Sequence, residues 1–129
     1  MKVLVKEKIA DSGVDLLRQN YDVDLGLEMS DEELAERIGG YDAILIRSAT
    51  KLTPELIDLA TNMKVIGRAG TGVDNVDIPA ATRRGIIVAN APESNSVAAA
   101  EHTLARALAL FRNVPQAQAS LVAGRWDRS

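Results

Sequence analysis

Short apolar runs alternate with longer segments of helical period along this chain, and no other feature of the sequence constrains the fold as strongly. Each apolar run has the length of a buried strand, and each longer segment has the spacing of a helix with a buried face. The pattern predicts five consecutive βα units. Such units form a parallel sheet with helices on both faces, because each right-handed crossover must cover the sheet.

The predicted strands differ in polarity. Residues 43–46 are a continuous apolar run, as in a strand covered on both faces, whereas Val23 and Leu25 alternate with Asp22 and Asp24. The second strand is therefore predicted at a sheet edge. This favours an α/β three-layer sandwich with the flavodoxin-like strand order 2-1-3-4-5. The other strands are predicted at residues 3–5, 65–67 and 86–89.

Capping residues predict where the first helices begin. Ser12 is the predicted N-cap of the first helix, with Val14, Leu16 and Leu17 on its buried side. Ser30 begins the second helix, with an acid at the capping-box position. The third and fourth helices are predicted to follow Thr53 and to run over residues 78–84.

The last helix is predicted over residues 97–114, ending near Pro115. Apolar side chains surround most of its circumference, so more than one face is predicted to be buried. We therefore divide the chain into a domain core over residues 1–96 and a helix with a tail over residues 97–129. This second part either completes the domain or pairs with another chain in a homodimer.

Composition excludes several classes of function. Acidic residues number 18 against 15 basic ones, and the interleaved signs predict no nucleic-acid partner. The absence of cysteine removes disulfides, thiolate nucleophiles and zinc–cysteine sites, and we see no metal-ligand cluster. No apolar run approaches the ~20 residues that span a bilayer. The sequence predicts a cytoplasmic protein without a membrane partner.

Ligands of open parallel sheets bind beyond the carboxyl ends of the strands. Two arginines follow neighbouring predicted strands, Arg47 before Ser-Ala-Thr and Arg68 before Ala-Gly-Thr-Gly. Guanidinium groups and glycine turns suit an anion, because they offer planar donors and close backbone approach. The alternative interpretation is that both arginines pair with surface acids.

The Gly70-Thr71-Gly72 turn looks superficially like a dinucleotide-binding loop. Its third glycine is absent, and Asn90 is neutral where an acid should bind a ribose. We interpret it as a turn or an anion nest. His102, the only histidine, lies in the apolar last helix and is interpreted as a packed residue, so no catalytic residue is predicted.

Two other classes share this fold and length. A phosphoacceptor receiver domain needs acids after the first strand and an aspartate after the third, where this chain has Lys6 and Arg47. A flavodoxin needs a hydroxyl-rich phosphate loop after the first strand, where residues 6–9 read Lys-Glu-Lys-Ile. The sequence disfavours both classes.

Three motifs together point to a known family. Residues 47–50 read Arg-Ser-Ala-Thr, residues 65–77 read VIGRAGTGVDNVD, and residues 90–103 contain Asn-Ala-Pro, Ser-Asn-Ser and Ala-Glu-His-Thr. In this order they closely resemble the D-3-phosphoglycerate dehydrogenases among the NAD-dependent D-2-hydroxyacid dehydrogenases. The resemblance covers the whole chain.

The resemblance implies a flavodoxin-like substrate domain beside a Rossmann cofactor domain, and oxidation of 3-phosphoglycerate by NAD in serine biosynthesis. It implies that Thr71 also lies near the nicotinamide and that Asn95 lies near the hinge and the cleft. The substrate-binding residues that it implies are Arg47, Ser48, Ala49, Thr50, Gly70, Thr71, Gly72 and Asn95.

The family's cofactor loop and its catalytic arginine, glutamate and histidine have no counterpart in these 129 residues. Hydride transfer needs a bound cofactor and a base that takes the proton. We therefore expect a truncated substrate-binding domain that binds no cofactor alone, is inactive alone, and binds 3-phosphoglycerate weakly or not at all. The alternative is an excised or engineered folding scaffold without ligand function.

Overall fold

The computed structural model describes residues 1–126. The chain divides into two compact units, Met1–Ser94 and a second that begins at Asn95. The strands of the first unit are β1 (Lys2–Val5), β2 (Asp22–Leu25), β3 (Ala43–Ile46), β4 (Val65–Arg68) and β5 (Ile87–Asn90). Its helices are α1 (Asp11–Arg18), α2 (Asp31–Arg37), α3 (Pro54–Leu59) and α4 (Ile78–Arg83), with a 3₁₀ turn at Ile38–Gly40.

All strand pairs of the sheet are parallel, and the order is β2-β1-β3-β4-β5. Helices cover both sides of the sheet. The predicted flavodoxin-like three-layer fold and strand order are therefore confirmed. The alternating strand β2 lies at an edge, as its half-polar pattern predicted.

A row of aliphatic side chains across the central strands holds the sheet in register. Leu4 pairs with Ile44, and Ile44 pairs with Ile66. These three residues are at most 1% exposed and belong to one hydrophobic core with Leu34 and Ile57 of the helices. A shift of one residue would turn this row to the opposite face of the sheet, so burial fixes which strand ends lie side by side.

The cap predictions hold at two helices and fail at one. At α2, the Glu33 N–H donates to Ser30 Oγ at 3.2 Å, and the Ser30 N–H donates to the Glu33 carboxylate at 2.9 Å. Thr53 caps α3, because its side chain accepts a hydrogen bond from the Leu56 N–H. The prediction for Ser12 is wrong, because α1 begins at Asp11 and the Ala10 carbonyl accepts its first hydrogen bonds.

The predicted buried side of α1 is also partly wrong. Val14 is buried, but Leu16 is 63% exposed. Two residues correspond to a rotation of about 200° around a helix, so these side chains point in nearly opposite directions. Val14 lies on the buried face of α1, whereas Leu16 faces solvent although it is apolar.

The second unit contains α5 (Ser96–Phe111) and α6 (Val114–Val122). The helix predicted over residues 97–114 is confirmed as α5, which ends three residues earlier than predicted. The second helix was not predicted, and Asn113, with a left-handed φ of 50°, separates the two. Pro115 lies in the first turn of α6, where its missing N–H costs no helical hydrogen bond. Whether this unit completes the domain or pairs with another chain stays a prediction. Among residues 1–126, no helix is long and apolar enough to cross a lipid bilayer.

We expect Ser30→Ala to lower the free energy of unfolding by about 1 kcal/mol, because the Glu33 N–H loses its cap. Ser12→Ala is the matched control, since Ser12 is exposed inside the first turn of α1. Alanine favours a helix, so the control should change stability by about 0.5 kcal/mol or less. Urea unfolding of both variants measures the difference. Equal destabilisation by both would contradict the assignment of the helix starts.

Candidate functional site

The loops that follow β3 and β4 meet at the carboxyl edge of the sheet. We call them the β3 loop (residues 47–52) and the β4 loop (residues 69–77). Leu52 and Val76 form a parallel bridge between the two loops. The Leu52 N–H donates to the Asn75 carbonyl at 2.9 Å, and the Asp77 N–H donates to the Leu52 carbonyl at 3.0 Å. The structure thus brings the two arginine-bearing segments together on one rim.

Glu7, two residues beyond β1, holds the β3 loop by its backbone. Its carboxylate accepts hydrogen bonds from the N–H groups of Arg47 at 2.8 Å, Thr50 at 2.9 Å and Ala49 at 3.1 Å. Burial alone would raise the pKa of Glu7, but the backbone donors of Thr50, Arg47 and Ala49 outweigh it and hold the pKa below its ordinary value. Glu7 is therefore ionised at neutral pH and fixes the loop.

Asn75 holds the same loop from the other side. Its Nδ2 donates to the carbonyl oxygens of Arg47 and Thr50, both at 2.7 Å. A carbonyl oxygen carries partial negative charge and would repel an anionic ligand, so the Asn75 amide removes an unfavourable group from the rim. The side chains of the loop are then what a ligand meets.

Arg47 is exposed, and its Nη1 lies 3.4 Å from the Lys8 carbonyl. Among residues 1–126, neither Arg47 nor Arg68 forms an ion pair with a carboxylate. The interpretation that both arginines merely pair with surface acids therefore finds no support in the part of the chain described.

Arg68 lies against the glycine turn of the β4 loop. Its Nε is buried and has no hydrogen-bond partner among the described residues. A Cβ on Gly70 would overlap the Arg68 guanidinium, and a Cβ on Gly72 would come within 2.7 Å of Asp74 Oδ1. Neither glycine has a left-handed φ. The glycines thus give room to neighbouring side chains, and of the two interpretations, a turn or an anion nest, this geometry favours the turn.

The last residue of β5 and the residue after it support this turn by donating hydrogen bonds to its carbonyl groups. Asn90 Nδ2 donates to the Thr71 carbonyl at 2.6 Å, and the Ala91 N–H donates to the Gly70 carbonyl at 2.9 Å. In the sequence, the neutral Asn90 argued against a ribose site. In the structure, its side chain is paired with the Thr71 carbonyl. It ties down the backbone of the turn that carries Thr71.

An open groove of about 530 Å³ runs beside the β3 loop. A smaller neighbouring groove of about 400 Å³ shares Arg47 and Lys8 with it. These volumes fall within the range of small-molecule sites. Lys6, which is only 9% exposed, also lines the larger groove. The remaining residues lining the larger groove are Glu7, Leu27, Glu28, Asp31, Ala49 and Thr50.

The Gly70-Thr71-Gly72 turn does not have the shape of a dinucleotide-binding loop. In a dinucleotide-binding loop, glycines leave space for the pyrophosphate to approach the backbone. Here the space beside Gly70 holds the Arg68 guanidinium, and the space beside Gly72 holds the Asp74 carboxylate. The turn at residues 70–72 therefore leaves no room for the phosphates of NAD beside its glycines.

The structure assembles most of the predicted site residues. Arg47, Ser48 and Ala49 are exposed on the β3 loop, whereas Thr50 is 5% exposed with its N–H and carbonyl both engaged. The turn at residues 70–72 lies in the adjoining β4 loop. Asn95 belongs to the second unit, where it precedes α5, and its role at the cleft stays a prediction.

Sequence reasoning missed the roles of Glu7 and Asn75. Each acts on backbone groups more than twenty residues away in the chain. An acid between two lysines at a strand end is a weak signal, because the same pattern is common on solvated surfaces. The apolar pattern of the strands did not show which loop the Glu7 carboxylate would contact.

Comparison with known proteins supports the family. The sequence profile described as "D-isomer specific 2-hydroxyacid dehydrogenase, catalytic domain" matches residues 3–124. The D-3-phosphoglycerate dehydrogenase of Archaeoglobus fulgidus is 50% identical over 129 residues, covering 99% of this chain and 24% of that protein. The D-3-phosphoglycerate dehydrogenase of Synechocystis is 49% identical over 127 residues, covering 98% of this chain and 23% of that protein.

Solved structures agree with this result. The NAD⁺-bound 3-phosphoglycerate dehydrogenase of Entamoeba histolytica superimposes with a TM-score of 0.70 at 30% identity, over 87% of this chain and 39% of that one. The NAD-dependent formate dehydrogenase of Staphylococcus aureus in complex with NAD gives 0.78 at 26% identity, over 98% and 43%. This chain thus spans less than a quarter of the curated relatives' length. The chain is similar to one part of D-3-phosphoglycerate dehydrogenase. Profile, sequence and fold together show that it belongs to the D-isomer specific 2-hydroxyacid dehydrogenases.

Proposed function

We propose that this chain is the substrate-binding part of a D-3-phosphoglycerate dehydrogenase and that the rim formed by the β3 and β4 loops binds the substrate. One observation carries the proposal. Arg47 begins the β3 loop and Arg68 is the last residue of β4, directly before the β4 loop; neither forms an ion pair within residues 1–126, and the Leu52–Val76 bridge and Asn75 join the two loops. Guanidinium groups without carboxylate partners at a strand edge suit a ligand that supplies the anions.

The ligand class follows from the charges and from the relatives. The substrate that gives those relatives their name bears a phosphate and a carboxylate, so it needs separate donors at its two ends. Arg47 and Ser48 offer a fork and a hydroxyl on the β3 loop. Arg68 at the end of β4 and Thr71 in the β4 loop offer the same pair. Fixed donors bind such a ligand without reorganising when it arrives. Ala49, Thr50, Gly70, Gly72 and Asn95 complete the proposed substrate-binding set.

The chemistry belongs to the longer protein. Hydride transfer to NAD needs a cofactor held against the alcohol carbon and a base for its proton, and the glycine turn at residues 70–72 leaves no room for a pyrophosphate. The proposed placement of Thr71 near the nicotinamide concerns that longer protein. NAD as cofactor, a role in serine biosynthesis and a cytoplasmic location are likewise proposed for that longer protein.

The binding proposal is tested by calorimetry with 3-phosphoglycerate. We expect weak binding by the unaltered chain, and a loss of affinity of about tenfold or more in Arg47→Ala, since a hydrogen bond to a charged group is removed. Arg18→Ala is the matched control, because Arg18 is an exposed arginine at the far end of α1. Absence of heat from the unaltered chain would refute the proposal and leave the folding-scaffold interpretation standing.

The role of Arg68 is tested through Gly70. Gly70→Ala places a Cβ where the Arg68 guanidinium lies, and this flexible group must move away. We expect affinity for 3-phosphoglycerate to fall by about tenfold, the effect of one hydrogen bond to a charged group. Gly40→Ala is the control, since a Cβ there meets nothing within 4 Å. Unchanged affinity in Gly70→Ala would exclude Arg68 from the site.

We expect no reduction of NAD when this chain is mixed with NAD and 3-phosphoglycerate. The measurement is the absorbance of reduced nicotinamide over time, with the full-length enzyme of Archaeoglobus fulgidus as positive control. Turnover by the 129 residues alone would overturn the assignment of the chemistry to the longer protein.

A further inference from the structure

We propose that Glu7 is a positioning residue for the proposed substrate site, and that its carboxylate sets the orientation in which the β3 loop presents Arg47. The inference rests on the proposed function, because it assigns a purpose to a loop taken to bind an anion. Glu7 itself acts through backbone groups and is not proposed to touch the ligand.

The geometry singles out Glu7 from the other acids of the protein. One carboxylate oxygen accepts from the N–H groups of Arg47 and Thr50, and the other accepts from that of Ala49. These bonds of 2.8–3.1 Å span both ends of the Arg-Ser-Ala-Thr segment and link it to the end of β1. A four-residue turn held at three of its amides has little freedom left in its backbone.

The charge of Glu7 also decides what the ligand can contact. Backbone N–H groups gathered in a turn form a site that attracts anions. In this loop Glu7 occupies that site from within, so an incoming phosphate or carboxylate is directed to the Arg47 guanidinium and the Ser48 hydroxyl. The loop therefore recognises its ligand through side chains, which carry geometric specificity that bare amides lack.

The position of Glu7 separates this role from a contribution to the core. Its side chain is half-exposed and lines the open groove beside Lys6, Lys8 and Arg47, with Glu28 and Asp31 on the same wall. None of the hydrophobic core residues depends on its carboxylate for a hydrogen bond. Glu7→Gln preserves the volume and removes the charge, and it sets an amide NH₂ against at least one backbone N–H.

The first experiment needs no ligand. Hydrogen exchange of the backbone amides, followed residue by residue by NMR, should show protection of the amides of Arg47, Ala49 and Thr50 in the unaltered chain. Glu7→Gln should speed their exchange by about tenfold or more, as expected for the loss of a hydrogen bond to a charged group. Glu28→Gln, in the same groove, should leave them unchanged. Equal exchange in the unaltered chain and in Glu7→Gln would overturn the proposal.

The second experiment is a double-mutant cycle with 3-phosphoglycerate measured by calorimetry. If Glu7 acts through Arg47, Glu7→Gln should weaken binding several-fold in the unaltered chain and have no further effect in Arg47→Ala. A purely structural role predicts that Glu7→Gln lowers stability and leaves affinity unchanged. An equal loss of affinity with and without Arg47→Ala would show that Glu7 acts independently of Arg47. Either result contradicts the proposal. If the unaltered chain binds nothing, the proposed function fails, and the exchange experiment alone decides whether Glu7 sets the loop.

Discussion

Parallel pairing in a single register decides where every charged loop of the first unit lies. Leu4, Ile44 and Ile66 form one buried row across the central strands, so the strands cannot slip without exposing it. Because the strands all run in one direction, their carboxyl ends lie along one edge. Arg68 ends β4 and pairs in register with Ile46, and Arg47, 21 residues before Arg68 in the chain, directly follows Ile46. The apolar strands therefore place both arginines at this edge.

A second layer of interactions fixes the loops at this edge, which we propose to bind an anion. The Glu7 carboxylate holds the amides of the β3 loop, the Asn75 amide holds its carbonyls, and Asn90 holds a carbonyl of the β4 turn. Part of the backbone of each loop is thereby paired within the protein, whereas Arg47 and Arg68 have no carboxylate partner among residues 1–126. Loops fixed before binding lose less entropy when the ligand arrives, which favours selective recognition even where part of the site lies elsewhere.

Much of this fold followed from the sequence, because period and polarity report burial directly. The apolar run at residues 43–46, the alternating strand β2 and the cap at Ser30 were all predicted correctly. The errors arose where local chemistry allows several structures: Ser12 lies inside its helix, and Pro115 begins a helix where it was expected to end one. The role of Glu7 could not be predicted, because its hydrogen bonds join residues 40–43 positions apart and no local pattern encodes that distance.

The central claim is that the β3 and β4 loops act as one anion-binding rim, and mapping of the ligand by NMR tests it most directly. Adding 3-phosphoglycerate to the ¹⁵N-labelled chain should shift the amide signals of residues 47–50 and 69–72 along a single binding curve. Signals at the opposite ends of the strands should not move. Shifts confined to one loop, shifts that follow different curves, or a response centred away from this edge would contradict the account.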